Sequence, residues 1–135
     1  MLRLIAVAAF TLLIGSAPHN LGRVDRGKSL CDLYKRGASS SGSFVKFRGV
    51  IITDLYEHSA LIDPDCERIP FSFVLPQEFY HQQTAFMTAL YGDMNDLSLR
   101  RMEVVATGKF VWDQGKSPPA TIYIDEVLKF RRLGR

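Results

Sequence analysis

Cysteine, histidine and tryptophan are scarce in this chain, whose 135 residues hold two, three and one of them respectively. That scarcity excludes a cysteine-rich zinc ribbon and a small scaffold held by several disulfides, and the length excludes a large cofactor enzyme. The signatures of hydrolytic and nucleotide chemistry are missing too. There is no G-x-S-x-G elbow, no H-E-x-x-H pair and no phosphate-cradling glycine loop. What is present, 47% apolar and 23% charged residues, is the balance of a single compact domain.

An apolar run from Leu4 to Ile14, broken only by Thr11, follows Met1-Leu2-Arg3 and precedes Gly15-Ser16-Ala17. A short apolar stretch between a cation and small residues is the pattern of a secretory signal peptide, here residues 1–17 with cleavage after Ala17. At eleven residues the run is well short of the ~20 that a helix needs to cross a bilayer, so no transmembrane segment is expected after its removal. No cysteine ends the run, and lipoprotein-type acylation therefore has no acceptor. The alternative, a buried N-terminal helix, would carry a polar face, and this run has none. Cleavage leaves 118 residues, enough for one core. The expected organisation is a flexible lead-in at 18–28, a domain at 29–130 and a basic tail at 131–135. Charge follows these divisions: residues 19–28 carry +2, the tail +3 and the domain −3.

Ser29 reads as the N-cap of a short helix, 30–36, stopped by Gly37. A Ser/Gly loop, 38–43, follows, with no side chain large enough to pack. Five strands are expected. The first, 44–53, alternates Val45, Phe47, Gly49 and Ile51 against Lys46, Arg48, Val50 and Ile52, with Gly49 read as a coil or bulge point. The second is 59–62, closed by the turn Asp63-Pro64-Asp65, and the third is 69–75. One helix is expected between Pro76 and Gly92, its stripe of Phe79, Tyr80, Phe86, Met87, Leu90 and Tyr91 facing the core. The fourth strand, 101–113, turns Met102, Val104, Ala106, Gly108, Phe110 and Trp112 to one face. A proline-rich hairpin loop leads to the fifth, 120–130, with Ile122, Ile124, Leu128 and Phe130 inward and Val127 opposite. Glu126 falls on the inward side, which suggests a bulge or a strand end facing water.

Three strands, a helix and two strands form the element order of the OB-fold, a five-stranded Greek-key barrel. The chain resembles that family through Val45-Lys46-Phe47-Arg48-Gly49, Val104-Val105-Ala106-Thr107-Gly108 and Ile122-Tyr123-Ile124-Asp125. It is also similar to small exported bacterial OB-fold proteins without a settled activity, which share a signal peptide, a Cys-Asp-Leu opening and a second cysteine after the second strand. The resemblance covers residues 29 to 130 and implies fold more than function.

Cys31 and Cys66 are the first candidates for chemistry. In an exported protein, two cysteines most simply pair with each other, and closing the 34 intervening residues stabilises by roughly 3 to 4 kcal/mol in the chain-entropy account. Two free thiols, or a redox pair, are the alternatives. A metal around His58, Asp63, Asp65 and Cys66, with His81 nearby, lacks the tight ligand spacing zinc uses. Adjacent Asp125 and Glu126 point to opposite faces of a strand, against a paired-carboxylate site.

Nucleic acid is disfavoured by the negative domain and by export, and Phe47 and Trp112 are read as core in preference to stacking platforms. The expectation is an exported, periplasmic, monomeric binding or accessory module without a cofactor, its partner a small ligand or an envelope protein. By analogy with the position of ligands on OB barrels, across the second and third strands and under the first–second and fourth–fifth loops, the candidate binding residues are Arg48, Tyr56, His58, Trp112, Lys116 and Tyr123. Two alternatives stand beside it. One is a metal-dependent hydrolase or nuclease using the His58 to Asp65 segment; the other is a structural module that recognises a protein by an edge strand.

Overall fold

A computed structural model describes residues 29–92, 95–96 and 98–134. The expected signal peptide and lead-in lie outside the described residues. The chain builds α1 (Leu30–Arg36), β1 (Phe44–Thr53), β2 (Ser59–Ile62), β3 (Pro70–Val74), α2 (Phe79–Gln82), α3 (Thr84–Tyr91), β4 (Arg100–Trp112) and β5 (Ala120–Arg132). The strands close into a barrel in the order β1-β2-β3-β5-β4, with β3 parallel to β5 and all other pairs antiparallel. The protein is therefore mainly β, a closed five-stranded barrel with helices between its third and fourth strands, compatible with the OB-like expectation.

Alternation fills the interior. Phe47, Ile51, Leu61, Phe71, Met102, Val104, Ala106, Phe110, Ile122 and Ile124 are buried in one cluster, as the period-2 pattern requires. Helices extend this cluster at both ends of the barrel. Ser29 and Asp32 form a reciprocal capping box that starts α1, and Gly37 ends it at φ +54°. Its buried Leu30 and Leu33 join the core, and Tyr34 meets Phe71 and Trp112 edge-on, with centroids 5.7 and 5.2 Å apart. Cys31 and Cys66 are joined, tying α1 to the β2–β3 connection. Phe79, Phe86, Met87 and Leu90 of α2 and α3 are buried against the opposite part of the barrel, where Phe86 meets Phe130 of β5.

Several expectations need correction. The helix between β3 and β4 is two helices, broken at Gln83, whose side-chain oxygen accepts the Val127 N–H at 3.3 Å. The break turns Tyr80 out of the core, and its hydroxyl hydrogen-bonds that of Tyr91, whose phenol this bond and partial burial push up to about 12. The 38–43 segment is not a featureless loop. A 3-10 turn spans Gly37–Ser40, Ser40 is buried, and the Ser41 hydroxyl accepts the Trp112 N–H at 2.9 Å. Gly49 is no bulge, since β1 and β4 stay in register from Phe44 to Thr53; its missing Cβ leaves room for Leu61, whose Cδ1 would lie 2.8 Å away.

The irregularities are instead in β5. Register shifts against β4 occur between Thr107 and Gly108 and between Ala106 and Val105, which leaves Asp125 and Leu128 as extra residues. The phase is thereby reset: Val127 is buried and Leu128 exposed, the reverse of strict alternation. Glu126 is exposed beside the bulge that its pattern suggested. β5 also runs on to Arg132, so Arg131 and Arg132 are ladder residues opposite Glu103 and Met102.

Candidate functional site

The five residues between β1 and β2 form the most highly organised exposed loop among the described residues. The Asp54 N–H donates to the His58 carbonyl at 3.0 Å, closing the turn. Asp54 Oδ1 then accepts the backbone N–H groups of Tyr56, Glu57 and His58 at 2.8, 3.0 and 2.9 Å, while Oδ2 pairs with His58 Nδ1 at 2.8 Å. An Asp directly after a strand commonly bonds the amides that follow it. The bond from the His58 amide, then that from Tyr56, then the His58 ring hold the Asp54 carboxyl far below the ordinary carboxylate range. Leu55 sits at φ +64°, unusual for a residue with a branched side chain, and is held there by its N–H bond to Thr53 Oγ1 at 2.9 Å. Residues kept in such sparsely populated conformations cluster at binding and catalytic loops.

This loop walls an open groove of about 650 Å³. Ile52, Ala60 and Leu99 give it an apolar lining, and Asp54, Glu57 and His58 give it polar groups. A concave site of this size with an apolar body and a few convergent polar groups is the usual form of a small-ligand site. Asp54 fixes the His58 ring through Nδ1, so Nε2 is the ring atom left to meet a ligand. A Ser–His catalytic pair is not formed here, because the Ser59 hydroxyl bonds Thr53 Oγ1 at 2.7 Å.

Metal chemistry finds little support in the donor geometry. Among the described residues, the group of three metal-binding side chains is Cys31, Asp63 and Cys66, and its two sulfurs are bonded to each other. Buried Asp63 caps a 3-10 turn, Pro64–Cys66, by accepting the Asp65 N–H at 2.9 Å. β2 lies between His58 and these acids, and His58 joins no such three-residue group among the described residues.

The remaining candidates are spread over the barrel. Tyr56 is 84% exposed on the β1–β2 loop beside His58. Arg48 projects from β1 and donates to Glu103 at 2.9 Å, while Arg131 donates to the other carboxylate oxygen at 3.2 Å. Its bond from Arg48 and then the nearby charges keep Glu103 below its usual range. Trp112 is half-buried between Tyr34 and Phe110 and closes on Gly37, where a Cβ would lie 3.4 Å from the indole; Phe47 is buried. Both rings are thus packed as core. Lys116 lies in the β4–β5 loop, 3.9 Å from Asp113, and Tyr123 is exposed on β5.

Along the β1–β4 ladder, Thr53 pairs with Arg100 at one end and Phe44 with Lys109 at the other. Nine residue steps separate those pairs, on the order of 30 Å of extended strand. The loops bearing His58 and Lys116 therefore leave the barrel at opposite ends, and the groove gathers His58 without Arg48, Trp112, Lys116 or Tyr123. Asp54, Glu57 and Leu99 were not among the expected residues. Asp54 had a readable signal, an Asx-turn residue directly after a strand; Leu99 reaches the groove only through the pairing of β4 with β1. Comparison with family models, with curated proteins and with solved structures finds no match.

Proposed function

We propose that this protein is an exported accessory module of the cell envelope that binds a small amphipathic ligand or peptide segment at the β1–β2 groove. The carrying observation is the Asp54–His58 clamp, which holds a strained loop and an oriented imidazole beside an apolar-lined cavity. Organisation formed before the ligand arrives lowers the ordering cost of binding. The barrel interior is filled by side chains, so the outer groove is the place for a guest. The Glu57 carboxylate and His58 Nε2 beside Ile52, Ala60 and Leu99 select a ligand with an apolar body and a cationic or hydrogen-bond-donating group. A disulfide, the signal-like N-terminal sequence and the resemblance to small exported OB-fold proteins all support the envelope address.

The test is an NMR titration of the protein with n-octylamine and with a Leu-Lys dipeptide amide. Shifts concentrated at residues 52–60 and Leu99, and lost in a folded H58A variant, support the reading. Saturating shifts confined to other residues, or no shifts at all, overturn it. Cell fractionation tests the address separately: product recovered from the cytosol with its leader and both thiols reduced removes the envelope from the account.

A further inference from the structure

The groove leaves unexplained how charge is distributed over the rest of the barrel. Residues 29–130 carry ten lysines and arginines against thirteen acids. Five of those ten, Lys46, Arg48, Arg101, Lys109 and Lys129, project with Arg131 from the outer face of β1, β4 and β5. Cross-strand partners set the rows. Phe44, Lys109 and Tyr123 lie side by side, followed by Lys46, Thr107 and Glu126, then Arg48, Val105 and Lys129, then Val50, Glu103 and Arg131. On the same rows, Glu103, Glu126 and the bulged Asp125 oppose the six cations, and Asp65 lies near Arg48 from outside them; Glu103 is spanned by Arg48 and Arg131. A net-acidic domain has thus gathered half its cations on one face.

We propose that this face adsorbs to an anionic phospholipid bilayer, an inference independent of what the groove binds. Charge complementarity is the first argument, since each lysine or arginine near a negative lipid surface adds attraction within about one Debye length, ~8 Å at physiological salt. The second is the row of rings. Phe44 is 80% exposed and Tyr123 42%, and the two flank Lys109 at one end of the face. Aromatic side chains beside cations are the composition that settles at headgroup depth. Shape is the third. The outside of a closed barrel is convex, so it can rest on a flat surface, whereas single-stranded nucleic acid is held in concave, charged channels.

The experiment is co-sedimentation of the full chain with vesicles of phosphatidylcholine alone and of phosphatidylcholine with phosphatidylglycerol, so that any contribution from the apolar N-terminal run is common to all samples. Stronger partition onto the anionic vesicles, reversed by about 0.5 M salt, is expected. The exposed triple substitution K46E/K109E/K129E should lower that partition at least about tenfold while leaving the circular dichroism unchanged. E126K, which adds a cation to the same face, should raise it. Equal partition of parent and triple variant onto anionic vesicles, or competition in which single-stranded DNA or an acidic polysaccharide strips the parent from the vesicles through the same three lysines, overturns the assignment.

Discussion

Asp54 carries more of the β1–β2 loop than any other single side chain, because one carboxylate serves three backbone amides and one imidazole. Its pKa in the folded protein lies below the unfolded value of ~3.9, so the stabilisation it gives is fully present above that value and is lost as pH falls through the folded one. Lowering pH below about 4 should therefore accelerate amide exchange at Tyr56, Glu57 and His58 ahead of the barrel amides, after correction for the intrinsic rate. D54N should produce faster exchange at the same three amides at neutral pH and weaken groove binding, with the barrel intact. The same exchange rates in variant and parent would remove Asp54 from its place in the loop. At this scale the sequence was informative where a residue's role is local. Ser29, Gly37 and the Cys31–Cys66 pair were legible from neighbours or from counting. Asp54 and Leu99 were not identified, because the groove joins a loop to a residue more than forty positions away.

Strand boundaries followed alternation closely for β1 and β2 and to within a residue for β3 and β4, since each has one face turned inward along its length. β5 departed from its pattern because two inserted residues reset the phase, and strict period 2 cannot show where a ladder absorbs an extra residue. The helix after β3 departs from its apolar stripe for a similar reason: it breaks at Gln83, whose side chain accepts the Val127 amide, a partner forty-four residues on. Gly108 stands next to the first β5 bulge, and a Cβ there would lie 2.6 Å from the Tyr123 carbonyl oxygen. Backbone cannot move aside as a flexible side chain does. G108A should cost about 1 to 3 kcal/mol in chemical denaturation, as overpacking does, whereas G42A, where no atom lies within 4 Å of the added methyl, should be set by its φ of +89° alone. Equal stability of G108A and parent would show that β4 and β5 are not so closely joined.

The barrel, α1 and the α2–α3 pair share one cluster of buried side chains, so the described residues form one core with helices against both its ends. The disulfide is the covalent link between the first helix and the β2–β3 connection. Replacing Cys31 and Cys66 together by alanine should lower the unfolding free energy by about 3 to 4 kcal/mol, measured in denaturant against the oxidised parent. A double variant as stable as the parent would mean that the unfolded chain is already constrained without the bridge.

β3 is the most lightly attached strand, with two residue pairs to β2 and three to β5. Cys66 lies four residues before it, so the sulfur link is moored close to the stave most ready to swing outward. Under reducing conditions the cask should gape along that stave before it collapses, letting water reach Phe71 while the long β1–β4 seam still holds.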